Sequence, residues 1–516
     1  MMQWAMSESM PAAFAELFVE LGIPADRMDC AFVHGFMYTR LRPLISPGRP
    51  SKRLPPDVVL KLVTRVHPAF RARTKAAERA VEERPSVDVV RRWESEIRPR
   101  LLAENRSLQR VDPAALDDGA LQVHVGELLD LLRRNSELHF WLHGHDLGPI
   151  ARYLYVSLGW GLDADETLGA LAGASPTTTA PLARLIELRE LVESAPGEVR
   201  SLDDVRALSD RARELLEQHL DVHGHVLATG YDITSPTLVE LPDVVLATIR
   251  TASPAAQIDH ASLVADLRER VPADERARFD QLCSDARLVM DMRDDNGPLT
   301  VEWPAGLMRR AMLALGGRLV ERGELSERDH VFVMEPDELR SVFESSRPSA
   351  GLLAERAALR DSWSRRTPPD VLGTPEPEPP LTVLPPALAE GIAATKTAIA
   401  HLGMSGAEPG GDALSGAGVG TETYVGTARV ADSADDAIER MEAGDVLVVR
   451  ATSPAFNLVL SIAGAVVTAD GGAMSHAAVL SRELGLPAVI GAPGALEIPD
   501  GACVEVDPVK GTVRVL

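Results

Sequence analysis

Two hydrophobic rhythms divide the chain. From about residue 55 to residue 360, apolar residues recur at three- and four-residue intervals, as in "PDVVLKLVTRVHPAFRARTKAAERAVEE", "DPAALDDGALQVHVGELLDLLRRNSELHFWL", "APLARLIELRELVES" and "SLDDVRALSDRARELLEQHLDVHG". This is the spacing of amphipathic helices, and the serine opening "SLDDVRALSD" suits a helix N-cap. Residues 20–50 are less regular and predict a short strand or two near "CAFVHGFMYTRLRPL". After residue 420 the rhythm shortens to strand-length runs: "YVGTARV", "GDVLVVRA", "GAVVTA", "PAVIG", "ACVEVD" and "GTVRVL". Between the two regimes, "RRTPPDVLGTPEPEPPLTVLPP" carries too much proline for a continuous helix, and "MSGAEPGGDALSGAGVGTET" reads as a flexible glycine-rich linker. Only "ALAEGIAATKTAIAHLG" between them can form a helix. The pattern therefore predicts a multidomain protein. A mainly helical domain spans 1–365, a Pro/Gly-rich linker with one helix spans 366–419, and a small α/β domain spans 420–516.

One unit inside the α/β domain concentrates the chemistry. "TADGGAMSHAAVLSRELGLPAVIG", residues 468–491, reads as the end of a strand, a glycine turn, a helix stopped at Gly485 and a second strand. Gly471 and Gly472 allow a tight turn and close approach of a ligand to the backbone. The helix N-terminus that follows offers unpaired N–H groups and a partial positive charge, the ingredients of a phosphate site. His476 stands at that spot as a nitrogen nucleophile available in its neutral form near pH 7. Ser475 can cap the helix or bond a phosphate, and Thr452 and Ser453, just after the strand "VLVV", can line the same pocket.

Composition narrows the classes. The 516 residues suffice for several domains, and a hydrophobic share of 45% with a charged share of 25% is ordinary for a globular protein. A net charge of −23 argues against nucleic acid or anionic membranes as partners through general electrostatics. The three cysteines, Cys30, Cys283 and Cys503, form no CxxC pair, which indicates a reducing compartment and no cysteine zinc site. No signal peptide and no long apolar run is visible, so the cytoplasm is the expected location, with no membrane contact.

The string "GGAMSHAAVLSRELGLPAVIG" resembles the phosphohistidine signature of the phosphoenolpyruvate-utilising enzymes, and "VGTARV", "GDVLVVRATSPAF" and "DGACVEVDPVKGTVRVL" fall where that family's swivelling domain has its strands. One departure is Gly420-Thr421-Glu422, where the family usually has a Ser-Pro-Gly type turn. The domain order resembles the acceptor-binding and phosphohistidine parts of rifampin phosphotransferases, and "HLDVHGHVLATGYDITSPTLVELP" and residues 286–339 extend the similarity into the helical region. The resemblance implies a large helical acceptor-binding domain followed by a swivelling phosphohistidine domain. It implies dikinase-type phosphotransferase activity in which His476 takes a phosphoryl group, from the β-phosphate of ATP, and passes it to a hydroxyl. No nucleotide-binding element is recognisable ahead of Trp4, so the expectation is a split system, as in phenylphosphate synthase. ATP and Mg2+ would then belong to a separate ATP-grasp subunit, and the acceptor would be a small organic alcohol or phenol.

The same resemblance places an Arg-Glu pair of the acceptor site at Arg293 and Asp294, and a lysine where this chain has Gly297. Arginine suits a phosphoryl group in transit, and a carboxylate beside it can orient or deprotonate a hydroxyl. His139, Trp141 and His143 in "HFWLHGHDL", together with His223, His225 and Glu240, are expected to wall the acceptor pocket. The histidines of this segment lack a carboxylate at HExxH spacing, so no metal site is expected. Two alternatives stay open: a non-catalytic regulatory or binding subunit, and a transferase charged by phosphoenolpyruvate or another phosphodonor.

Overall fold

The computed structural model describes residues 2–45, 47–48, 53–227, 232–252, 260–343, 347–364, 366, 368–369, 371–374, 377–401, 414–432, 434–452, 456–472 and 475–516. The chain forms a large helical region and a C-terminal mixed sheet, and its residues group into two compact units.

The first unit comprises Met1–His145, Tyr231–Thr234 and Asn296–Ala393. Helix Met2–Glu20 packs on an antiparallel hairpin, β1 (Ala25–Val33) and β2 (Phe36–Pro43). His34 and Gly35 at its turn both have positive φ, 52° and 88°, as a tight two-residue hairpin connection requires. The apolar stripes of helices Asp118–Gly159 and Trp303–Glu321 supply much of this core, with Leu121, Leu128, Leu132, Trp303, Met308 and Leu315 all buried. Two π-helical turns, Trp93–Ile97 and Pro298–Glu302, pack against helix Arg98–Gln109.

The second unit comprises Asp146–Gly230, Ser235–Asp295 and Ala394–Leu516. Helices Pro176–Glu193, Leu202–Leu208, Asp210–His223 and Pro242–Thr251 close around Leu188, Val205, Leu216 and Ile249. The sequence pattern suggested one helix across 201–224. Two are found, because Ser209 adopts extended backbone (φ −168°, ψ 165°) and caps the second helix by accepting from Ala212 N. Ser201 caps the first, in a reciprocal box with Asp204.

The rest of this unit contains an eight-stranded sheet of β3 (Leu414–Ser415), β4 (Ala417–Val419), β5 (Tyr424–Ala431), β6 (Val446–Val449), β7 (Ala465–Thr468), β8 (Ala488–Ile490), β9 (Cys503–Asp507) and β10 (Thr512–Val515), in the order β3-β10-β9-β5-β6-β7-β8-β4. Strands β5 to β8 run parallel, and the outer pairings are antiparallel. The central strands are buried on both faces: Leu447, Val449 and Val466 face one apolar cluster, while Val446, Val448 and Val467 face the other. This accounts for their unbroken runs of valine. The sheet already begins at Leu414, so part of the glycine-rich stretch expected to be linker is strand. The glycines are there for close packing. A Cβ on Gly418 would lie 1.7 Å from the Pro508 carbonyl oxygen, and one on Gly416 would lie 2.4 Å from that of Ile490. Residues 402–413 of that stretch lie outside the described residues.

Candidate functional site

His476 is the first residue of helix His476–Leu484, which crosses from β7 to β8. It therefore lies beyond the C-terminal end of a parallel strand, the usual ligand position in sheets of this kind. Ser475 is the N-cap, and its hydroxyl accepts from Ala478 N at 3.3 Å. Gly471 has φ 121°, and a Cβ there would meet Ile490 at 3.0 Å and Ser475 Oγ at 3.2 Å, so the turn needs glycine for both conformation and space. Gly472 is buried. The neighbouring loop after β6 is laced to this one, with Ala469 N donating to Val449 O (2.9 Å) and Asp470 N to Arg450 O (2.7 Å). That lacing brings Thr452 Oγ1 to 3.0 Å from His476 Nδ1. Ser453, expected beside it, lies outside the described residues.

The imidazole is partly exposed. Desolvation first, and the positive charge of Arg293 second, hold its pKa far below the ordinary value, at about 3. The ring is therefore neutral at physiological pH. For Nε2 to carry the lone pair, Nδ1 must hold the proton and donate it to Thr452 Oγ1.

Arg293 lies on helix Met290–Gly297 of the same unit. It lines a small cleft together with Ile150, Leu168, Leu171, Ala172, Met290, Val479 and Arg482. The cleft thus has aliphatic walls and two guanidinium groups, and Val479 and Arg482 belong to the His476 helix. Asp294, next in the chain, has a buried Oδ2 without a hydrogen-bond partner. Burial pushes its carboxyl up to about 6, with Asp146 and Asp291 adding to the effect and Arg293 and a Ser175 hydrogen bond opposing it. It is a carboxylate at pH 7 that accepts a proton readily.

His139, Trp141 and His143 belong to the first unit. His139 is buried, with Nδ1 at 3.2 Å from Asn296 Oδ1 and 3.1 Å from Thr300 Oγ1, and its Nε2 is 3.1 Å from His143 Nε2. Trp141 Nε1 donates to Glu20 Oε2 at 3.2 Å. In the second unit, His223 stacks on His219 with ring centroids 4.9 Å apart. Burial and the charge of Arg184 depress His223 to about 4. Glu240 completes a capping box with Thr237 at 2.9 Å, and His225 follows the end of helix Asp210–His223. Sequence reasoning missed Arg482 and its partner Asp165, which bond at 2.7 Å. The "RE" of the helix was visible, but nothing in the chain pointed to its partner. Among the described residues no group of three or more His, Cys, Asp or Glu is arranged to hold a metal ion, and no helix is long and apolar enough to cross a membrane.

Residues 441–511 match the family described as PEP-utilising enzyme, mobile domain. The chain is 32% identical over 332 residues to a rifampicin phosphotransferase of a Streptomyces species, covering 59% of this chain and 35% of that protein. It is 27% identical over 401 residues to the rifampicin phosphotransferase of Streptomyces sviceus, covering 69% of this chain and 41% of the relative. Over 89 residues it is 43% identical to the phosphoenolpyruvate synthase of Aeropyrum pernix, covering 17% of this chain and 11% of that enzyme. The chain thus spans well under half the length of each of these relatives.

Proposed function

We propose, from the match of residues 441–511 to the mobile domain of PEP-utilising enzymes, that the chain carries a phosphoryl group on His476 Nε2 and delivers it to the hydroxyl of a small organic acceptor beside Arg293. The observation that carries the reading is a neutral, partly exposed imidazole, tied at Nδ1 to Thr452 and close enough to Arg293 to feel its charge.

In the first half-reaction the Nε2 lone pair attacks the phosphorus of the donor, and the donor's leaving oxygen takes the electrons of the broken P–O bond. Thr452 Oγ1 accepts a hydrogen bond from Nδ1–H, which stays protonated, and so holds the tautomer. In the second, the acceptor hydroxyl attacks the same phosphorus, the N–P bond returns its electrons to Nε2, and the hydroxyl proton passes to Asp294. Arg293 neutralises the equatorial oxygens during transfer, the main contribution a protein makes to this chemistry. The aliphatic residues Ile150, Leu168, Leu171 and Met290 suit an apolar alcohol or phenol.

The donor proposed is ATP held with Mg2+ by an ATP-grasp element, and no step on this chain is routed through the metal. Phosphoenolpyruvate is the second donor to test, because a phosphoenolpyruvate synthase is among the relatives. The test is phosphate incorporation from labelled ATP with candidate nucleotide-binding partners, or from labelled phosphoenolpyruvate. The label is expected on the peptide containing His476 and absent from His476→Ala. Label retained in that variant would overturn the assignment.

A further inference from the structure

The helix that begins at His476 meets the helical part of its own unit with one stripe of side chains. His476, Val479 and Arg482 follow one another at three-residue spacing, so they share a face. Each finds a different counterpart. His476 feels Arg293, Val479 lines the cleft with Leu168 and Leu171, and Arg482 donates from Nη2 to Asp165 Oδ1 at 2.7 Å.

Asp165 is prepared for that bond. It lies in the first turn of helix Ala164–Gly169, where the N-cap Asp163 accepts from the backbone amides of Asp165 (2.8 Å) and Glu166 (3.1 Å). Glu166 is engaged by Arg270 at 2.6 Å, which leaves Asp165 as the carboxylate for Arg482. The arginine side chain is 10% exposed in this arrangement, against 43% for the aspartate.

We propose that Arg482 and Asp165 form a docking latch: a positioning pair that seats the His476 helix on the helical region so that the imidazole faces Arg293. An ion pair suits this task better than apolar contact alone. Breaking it returns both charges to water, so the pair favours one geometry without making it permanent. A carrier histidine that must also meet a donor needs such a reversible seat, so the latch serves the function proposed above and rests on it for its purpose.

Hydrogen–deuterium exchange on the full chain tests the latch without any phosphodonor or acceptor. Asp165→Arg and Arg482→Asp are each expected to speed exchange by about fivefold or more in two peptides at once, those covering 164–172 and 476–484. Combining the two reversals restores the attraction and is expected to return both peptides to within about twofold of wild type. The isosteric Asp165→Asn, which keeps the fold under least strain, is expected to show the same paired change at smaller size. Exchange in 476–484 that ignores Asp165→Arg and Asp165→Asn, or a double reversal that restores nothing, would overturn the latch. Failure of His476 to accept phosphate would overturn the carrier reading and leave this result unaffected.

Discussion

Two neutral imidazoles in this protein show what separates chemistry from architecture. His476 and His139 are both held below their ordinary pKa chiefly by burial, and each has Nδ1 engaged by a threonine hydroxyl. They differ at the second nitrogen. His139 spends it on His143, and the ring is only 4% exposed. His476 stands at a helix start beyond a parallel strand, partly exposed, and among the described residues its ring is bonded through Nδ1 alone. A histidine whose two nitrogens are both bonded inside a core is a fixture. One whose second nitrogen remains available has the means to act as a reagent, the role proposed for His476.

The widest separation of the two regions should come from Arg293. Arg293→Gln keeps a donor but removes the charge that faces the moving phosphoryl group. Transfer from phosphorylated His476 to a simple phenol as trial acceptor is expected to slow on the order of 100-fold. Formation of the phosphohistidine is expected to change little, and equal slowing of both half-reactions would remove Arg293 from the acceptor site. His139→Ala should behave in the opposite sense. It strips partners from the buried Asn296 and Thr300, so urea unfolding is expected to show a loss of about 2–4 kcal/mol while phosphate incorporation at His476 persists. Loss of incorporation in a folded His139→Ala protein would make that pair part of the chemistry.

Thr452 gives a finer test. Thr452→Val keeps the shape and removes the acceptor for Nδ1–H, freeing the ring to change tautomer. Phosphohistidine formation is expected to fall by about tenfold, with Thr452→Ser recovering most of it. If valine and serine behave alike, the hydroxyl has no role in holding the ring.

How much of this was legible in the sequence follows from the range of each interaction. The strands β6 to β8 announce themselves because a parallel sheet buried on both faces demands unbroken apolar runs such as "VLVV". The turn at Gly471 and the stop at Gly485 were equally plain, since each reflects a local backbone need. The glycines at 416 and 418 misled, because composition alone does not distinguish flexibility from a carbonyl that would collide with a side chain. The break at Ser209 was hidden inside a continuous apolar rhythm that the cap interrupts without disturbing. Arg482 and Asp165 are 317 positions apart, and no periodicity reports a pairing at that distance. Arg293 entered through a resemblance, and what the structure adds is its neighbourhood with His476 in one compact unit.

The smallest expected effect, and the most diagnostic of mechanism, is in the pH profile. A free imidazole would lose half of its nucleophilic form near pH 6.5. His476 is depressed to about 3, so phosphohistidine formation is expected to stay flat from pH 8 down to about 5 as far as this chain's ring is concerned. Asp294 is shifted the other way: burial raises it to about 6, so its proton-accepting form is lost as pH falls through that value. Transfer to the acceptor should therefore decline below about pH 6 while formation does not. Stability separates the same groups with opposite signs. The histidines bind fewer protons folded than unfolded between their depressed values and about 6.5, so acidification through that window destabilises the fold. Asp294 binds more protons folded than unfolded between 3.8 and about 6, so it disfavours the fold as pH rises through that window. A single-turnover series that measures formation and transfer at each pH, beside urea midpoints at the same values, distinguishes the two. Parallel decline of both half-reactions with a midpoint near 6.5 would mean that His476 titrates as an ordinary exposed imidazole, and that the desolvated, arginine-facing site described here is not the one at work.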